Sequence, residues 1–325
     1  MRPFAYTRAH SVAMAVETVA ADPAARFLAG GTELLNLVRE GQEAPNRLVD
    51  IGALPLTEVR ADARRVRIGA LAPLVHEHPE IRRRFPVLAE AGGSAASPQV
   101  RNMATPGGNL LQRTRCAYYR EVRFPCNRRV PGSGCAALSG VHRNNAILGG
   151  SEHCIAVHPS DLAVALTALD AVVRTRGPAG ERAIPIEELY LLPGDQPHRE
   201  TALAHGELIT AIDVPATAFA ARSHYLKVRD RASFAFALVS VAVALELRDG
   251  VVHDVRIALG GVAPRPWRAR AAEHALRGRR FDDTARAAAG RAATEGATPR
   301  EHNGFKVPLT ERAVLRALSE VDGGR

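Results

Sequence analysis

Lysine is nearly missing from this sequence: of 43 basic residues only Lys227 and Lys306 are lysine, and the rest are arginine. Such a choice reads as genome composition. The clusters Arg82-Arg83-Arg84 and Arg277-Gly278-Arg279-Arg280 also lack interleaved aromatics, which total only 5% of the chain, so no nucleic-acid partner is expected. The net charge of +9 is assigned instead to anionic cofactors or acidic partner subunits. No apolar run approaches the roughly 20 residues that cross a bilayer, which excludes a membrane span and implies a soluble protein. The start, Met1-Arg2-Pro3-Phe4, leads into a polar segment with neither a signal-peptide core nor twin arginines. A cytoplasmic location is therefore expected, or a periplasmic one if the chain is exported on a partner's signal. What is present, 46% hydrophobic residues in a chain of 325, suffices for two or three units with their own cores.

Cysteine is scarce as well, and all of it is in one place. Cys116, Cys126, Cys135 and Cys154 are the four in the chain. They could form two disulfides in an exported protein or one metal site in a protein folded in the cytosol, and the missing signal favours metal. The spacing C-x9-C-x8-C-x18-C is neither a zinc-ribbon pair nor a ferredoxin run, so both a [4Fe–4S] cube and a structural zinc stay open. The cysteines lie in a stretch, 93–159, rich in Gly, Pro, Asn and Arg, which is expected to be loop held by something other than apolar packing. His142, His153 and His158 are nearby, with surface or supporting positions expected for them.

Along the chain, a helix is expected from Ser11, then a strand at Arg26–Ala29, a turn at Gly30-Gly31-Thr32, a second helix, and a strand at Leu48–Ile51: one βαβ unit. Further strands are expected at 65–69, 171–176, 183–186 and 207–214, with a helical stretch over 73–92. Ser160 or Asp161 should cap an apolar helix that runs to Asp170. After a small-residue linker at Pro215–Ala221, two apolar runs at 236–247 and 251–259 flank Asp249-Gly250, a strong hairpin signal. Helices are expected over 267–277, 283–295 and 310–321, the last behind a Thr310 cap.

Two glycine turns carry the chemistry. Phe27-Leu28-Ala29-Gly30-Gly31-Thr32-Glu33-Leu34 sets two glycines between a strand and a helix, where free N–H groups can hold a diphosphate. It is not a GxGxxG motif, so a Rossmann fold is not indicated. Ala104-Thr105-Pro106-Gly107-Gly108-Asn109-Leu110 repeats a hydroxyl, two glycines and an amide, although a Pro-Gly turn with Asn109 as a helix cap would read the same.

Taken together, AGGTELL, RNMATPGGNLLQRTRC and the block from PCNRR to SEHCIAVHPSDLAVAL resemble the flavin-binding subunit of xanthine dehydrogenase family enzymes, in the branch of aldehyde oxidoreductase. The likeness covers essentially the whole chain. It implies an α+β architecture: a two-lobed α/β FAD-binding domain of the PCMH type over 1–216, with an iron–sulfur insert at about 112–158, then a C-terminal α+β domain with a small antiparallel sheet over 222–325. It implies FAD held by Leu28, Ala29, Gly30, Gly31, Thr32, Glu33 and Leu34 on one loop and by Thr105, Gly107, Gly108 and Asn109 on the other. Asp161 matches the family's acidic position at the cofactor, and Lys227 matches its lysine near the flavin ring. Glu33 stands where many relatives have Asp. The likeness also tips the four cysteines towards a [4Fe–4S] cluster. The implied partners are a large molybdopterin-binding subunit and a small subunit with two [2Fe–2S] centres, in a heterotrimer or its dimer, with electrons leaving for an external acceptor. A stand-alone flavin oxidoreductase would need its own substrate pocket and no cysteine cluster, and a zinc-stapled scaffold would bind no flavin. No Ser-His-Asp or paired-carboxylate motif supports hydrolysis.

Overall fold

Short apolar runs alternating with a glycine turn produce a small parallel sheet at the N-terminus. The structure, a computed structural model, describes residues 2–323. Ala25–Leu28 and Ala5–Arg8 pair in parallel on either side of Arg47–Asp50. The helix Val12–Ala20 covers this sheet with Ala15, Val16 and Val19, and its Ser11 cap accepts from the Met14 N–H at 3.1 Å. Ala5–Arg8 was not among the expected strands: it is a short, largely exposed edge with no buried face to mark it.

The second lobe is an antiparallel sheet of five strands, in the order Val59–Ala61, Arg65–Gly69, Leu208–Pro215, Val172–Gly177 and Gly180–Pro185. A third sheet, of four antiparallel strands, follows the order Trp267–Arg268, Val251–Gly260, Val239–Arg248 and Ser223–Val228. At its hairpin Asp249 and Gly250 take φ of 51° and 74°, the two left-handed residues that a tight antiparallel turn needs. The α+β arrangement is thus the one the sequence implies.

The four-stranded sheet is apolar on both faces. Ala242, Ala244 and Ala258 join the core of the five-stranded lobe, whereas Val241, Val243, Val255 and Ile257 pack on the helices Arg270–Leu276, Asp283–Ala292 and Lys306–Gly323. Double coverage explains why 241–245 is a continuous apolar run and not an alternating one. Small residues lie on the first face because the helix Asp161–Ala168 is pressed against it, every residue of that helix being buried. Among the described residues no helix is long and apolar enough to cross a membrane.

Three local expectations are corrected and a fourth is decided. Trp267 and Arg268 pair with Leu259 and Ala258 as a strand, so the helix starts only at Arg270. The last helix begins at Lys306, and Thr310 is not its cap but a buried hydroxyl that donates to the Lys306 carbonyl at 2.7 Å. The supposed loop 93–159 contains the short helices Pro98–Met103, Pro106–Leu110 and Ala117–Arg120, each too brief for a periodic signal. Of the two residues expected to cap the central helix, Ser160 does so.

Lys306 is fully buried, and its ammonium donates to the Asn145 and Gly261 carbonyls at 3.0 and 2.7 Å. It thereby pins the cysteine-bearing segment to the third sheet. Burial pushes its pKa down to about 7. An unfolded lysine keeps its proton to about pH 10.4. Between these values the unfolded chain binds more protons, so stability rises with pH across that window and the contribution is lost as pH falls through 7. Denaturant unfolding of Lys306→Met beside the parent should show the parent gaining about 1 kcal/mol per pH unit above pH 7. A difference that stays constant from pH 7 to 9 would refute this.

Candidate functional site

Both glycine turns stand before a helix, and they press on one another. The first follows the strand Ala25–Leu28 and leads to the helix Leu34–Glu40. Gly31 has φ of 71°, a conformation that costs a residue with a β-carbon roughly 1–2 kcal/mol. Gly30 is needed for another reason: a Cβ there would overlap the carbonyl oxygen of Met103, where the chain enters the second turn. In that second turn Thr105 Oγ1 accepts from the Gly108 N–H at 3.2 Å, and the Gly107 N–H donates to the Ala70 carbonyl at 2.9 Å. Asn109 caps nothing. Its Oδ1 accepts from the Ser160 hydroxyl at 2.5 Å and ties the turn to the central helix. Among the described residues the N–H groups of Gly30, Gly31 and Thr32 meet no backbone acceptor, which leaves donors where a phosphate can be held.

Because Ser160 takes the cap, accepting from the Ala163 N–H at 3.0 Å, the Asp161 carboxylate is free for other partners. Tyr225 donates to one oxygen at 2.6 Å and Lys227 to the other at 2.7 Å, and Lys227 also donates to the Ser94 carbonyl at 3.1 Å. Tyr225 and Lys227 are two apart on the strand Ser223–Val228 and so share a face. Burial pushes the Asp161 carboxyl above its ordinary range, while Lys227 and Tyr225 pull it back. Lys227 is therefore a buried, paired cation and not a surface lysine.

Glu33 has its carboxylate occupied. Arg115 and Arg120 hold it at 2.7 and 2.5 Å, and the Arg113 N–H donates to it at 3.0 Å. These ties bind the first glycine turn to the segment that enters the cysteines.

All four cysteines are free thiols. Cys126 and Cys135 face each other across an isolated antiparallel bridge, and Cys154 bridges Ser151. The Asn145 amide spans Cys116 Sγ at 3.7 Å and the Ile155 carbonyl at 3.2 Å. Burial, followed by the neighbouring Cys154, Cys116 and Cys126, pushes the Cys135 thiol up. The four thiols thus share one neighbourhood. Among the described residues, however, no three His, Cys, Asp or Glu side chains are grouped so that they could hold a metal ion. His142 is buried and accepts from the His302 N–H at 3.1 Å, and His153 is exposed.

A cavity of about 1260 Å³ connects these parts. Ala29 to Leu34, Thr105 to Asn109, Asp161, Lys227 and Cys116 line it; Leu28 does not, and neither do Cys126, Cys135 and Cys154. Such a volume exceeds the roughly 300–1,000 Å³ of most small-ligand pockets, and with two amide-bearing turns at one side it suits an extended dinucleotide. Residues 2–217 match the family described as the FAD binding domain in molybdopterin dehydrogenase, and residues 224–321 match the CO dehydrogenase flavoprotein C-terminal domain. The chain belongs to the FAD-binding subunits of the xanthine dehydrogenase family of molybdenum hydroxylases. These proteins belong to oxidoreductases, and the cofactor of the subunit is FAD.

Among relatives of the flavin subunit, the aldehyde oxidoreductase FAD-binding subunit PaoB of Escherichia coli (strain K12) is 45% identical over 98% of both chains. The carbon monoxide dehydrogenase medium chain of Hydrogenophaga pseudoflava is 29% identical over 91% of this chain and 88% of that one. A solved carbon monoxide dehydrogenase from the same organism, lacking the Mo-pyranopterin moiety, matches with a TM-score of 0.76 at 28% identity over 98% of this chain and 96% of that one. Sequence reasoning passed over Tyr225, and it gave His158 and Ser160 no place at the cavity. His158 lines the cavity, and burial pushes its pKa down to about 3. The only signal for these residues was their closeness to Asp161 and Lys227.

Proposed function

We propose that this chain is the FAD- and [4Fe–4S]-carrying electron-transfer subunit of a molybdenum-dependent, aldehyde-oxidising dehydrogenase. Its partners are a large molybdopterin-binding subunit and a small subunit with two [2Fe–2S] centres, in a heterotrimer or its dimer, and its electrons go to an external acceptor. The aldehyde class is supported by the 45% identity to a subunit named for an aldehyde oxidoreductase. One observation carries the proposal: Cys116 lines the cavity of the glycine turns and shares its neighbourhood with the other three thiols. On this view 1–216 forms the FAD-binding domain, with the insert at about 112–158, and 222–325 forms the C-terminal domain.

Bound FAD supplies the two-electron to one-electron redox chemistry. The chain's own residues bind and orient. Main-chain donors of Ala29, Gly30, Gly31, Thr32 and Leu34 serve the diphosphate, while Leu28 and Glu33 hold that turn from behind. Thr105, Gly107, Gly108 and Asn109 shape the adjoining wall, and Asp161 fixes the Lys227 ammonium at the cavity's edge. A [4Fe–4S] cluster supplies one-electron transfer, with Cys116, Cys126, Cys135 and Cys154 as its ligands. Four neighbouring thiols supply one thiolate for each iron of such a cube.

The test is an absorption spectrum of the anaerobically purified complex with flavin and iron quantified. Roughly one FAD and about four irons per copy of this chain are expected. Cys135→Ser should lose iron and keep FAD. Zinc in place of iron in the parent would remove the cluster from the proposal, and a colourless complex would remove the flavin role too.

A further inference from the structure

Arg128 is buried, with its side chain 6% exposed, two residues beyond Cys126. Burying a guanidinium without compensation costs several kcal/mol, so it persists only where negative charge faces it. Glu200 supplies part of that charge at 2.5 Å. The same carboxylate also holds Arg113, whose second partner Glu43 is shared in turn with Arg26. Three arginines thus draw on two carboxylates, and the local count is short by one negative charge. Arg128 also stands beside Cys154: the neighbouring Asn127 amide donates to the His153 carbonyl at 3.1 Å and sets the two segments side by side, and after Glu200 the Cys154 thiol is the group that most favours the charged guanidinium. On the same sulfur the Ala156 N–H donates at 3.5 Å, and on Cys116 the Asn145 amide donates at 3.7 Å. The buried Nε of Arg128 has no partner among the described residues.

We infer that Arg128 is a tuning residue for the cysteine-held cluster: its buried charge, steadied by Glu200, faces the Cys154 thiolate and favours the reduced cluster. This rests on the [4Fe–4S] assignment above. Contacts to the ligand sulfurs and local charge set the potential of such clusters. A cation beside a ligand sulfur offsets the electron that arrives on reduction. The couple takes up one electron, no bond forms or breaks, and Arg128 keeps its proton throughout. Glu200 acts in the opposite sense, because it cancels part of that charge.

The test is a dithionite titration of the complex followed by the electron paramagnetic resonance of the reduced cluster, with iron and FAD quantified in each sample. Arg128→Met should lower the reduced-to-oxidised ratio at a fixed potential at least tenfold, which is 59 mV for a one-electron couple. Arg128→Lys should recover most of the loss, and Glu200→Gln should raise the ratio. If Arg128→Met loses its iron, Glu200→Gln decides. Full iron with an unmoved ratio in Arg128→Met, or in Glu200→Gln where Arg128→Met holds no iron, would overturn the role of Arg128 and leave the cluster assignment standing. An iron-free parent would overturn both.

Discussion

Gly30→Ala is expected to cut the FAD content of the purified complex at least tenfold, while destabilising the chain by about 2–3 kcal/mol. The added methyl has nowhere to go, since it would overlap the Met103 carbonyl oxygen, and backbone cannot rotate aside as a side chain does. The two turns would have to part, and the N–H groups of Gly30, Gly31 and Thr32 would leave the position that their contact fixes. Gly180 is the control. It has a positive φ, 115°, which Gly30 does not, and nothing lies within 4 Å of a Cβ placed there. Gly180→Ala should therefore lower stability through backbone strain and leave flavin untouched. Flavin released by acid and read by absorbance, beside a denaturant unfolding curve, separates the two. Parental FAD content in Gly30→Ala would reject the pair of turns as the phosphate cradle.

The difference between these glycines was not visible in the sequence. Gly30 reads as one of a pair in a turn, and nothing local says that it touches a residue 73 positions away. Patterns within one element were legible: the stripe of Ala15, Val16 and Val19, the Asp249-Gly250 hairpin and the apolar runs of the third sheet all stand where periodicity puts them. Long-range pairing was not. Ser160 and Asp161 both read as the helix cap, and nothing local says that Ser160 takes the role and frees Asp161 for partners 64 and 66 positions away. Lys227 reads equally as a surface cation, since spacing along a strand does not say which carboxylate lies opposite. The arginines show the same limit. Their abundance suggests composition alone, but Arg113, Arg115, Arg120 and Arg128 form the charged frame that sets the cysteines against the glycine turns.

The buried pair of Asp161 and Lys227 should respond unequally to losing either partner. Asp161→Ala leaves an ammonium, its side chain only 4% exposed, with the Ser94 carbonyl as its remaining acceptor. Stranding a buried charge in this way costs about 3–5 kcal/mol. Lys227→Met strands a carboxylate instead, but burial already pushes Asp161 up, so it can take a proton and keep Tyr225 as a hydrogen-bonding partner. The expected cost is smaller, and it should shrink further as pH falls and protonation becomes easier. Asp161→Leu combined with Lys227→Met removes both charges and should regain much of what Asp161→Ala loses. Unfolding free energies at pH 6 and pH 8 for the two single variants and the double one provide the measurement. Additive losses would mean that the two groups do not depend on each other. In that case the Lys227 ammonium would not need Asp161 to stay charged inside the protein, and its placement at the cavity wall would have to come from the Ser94 carbonyl and the strand alone.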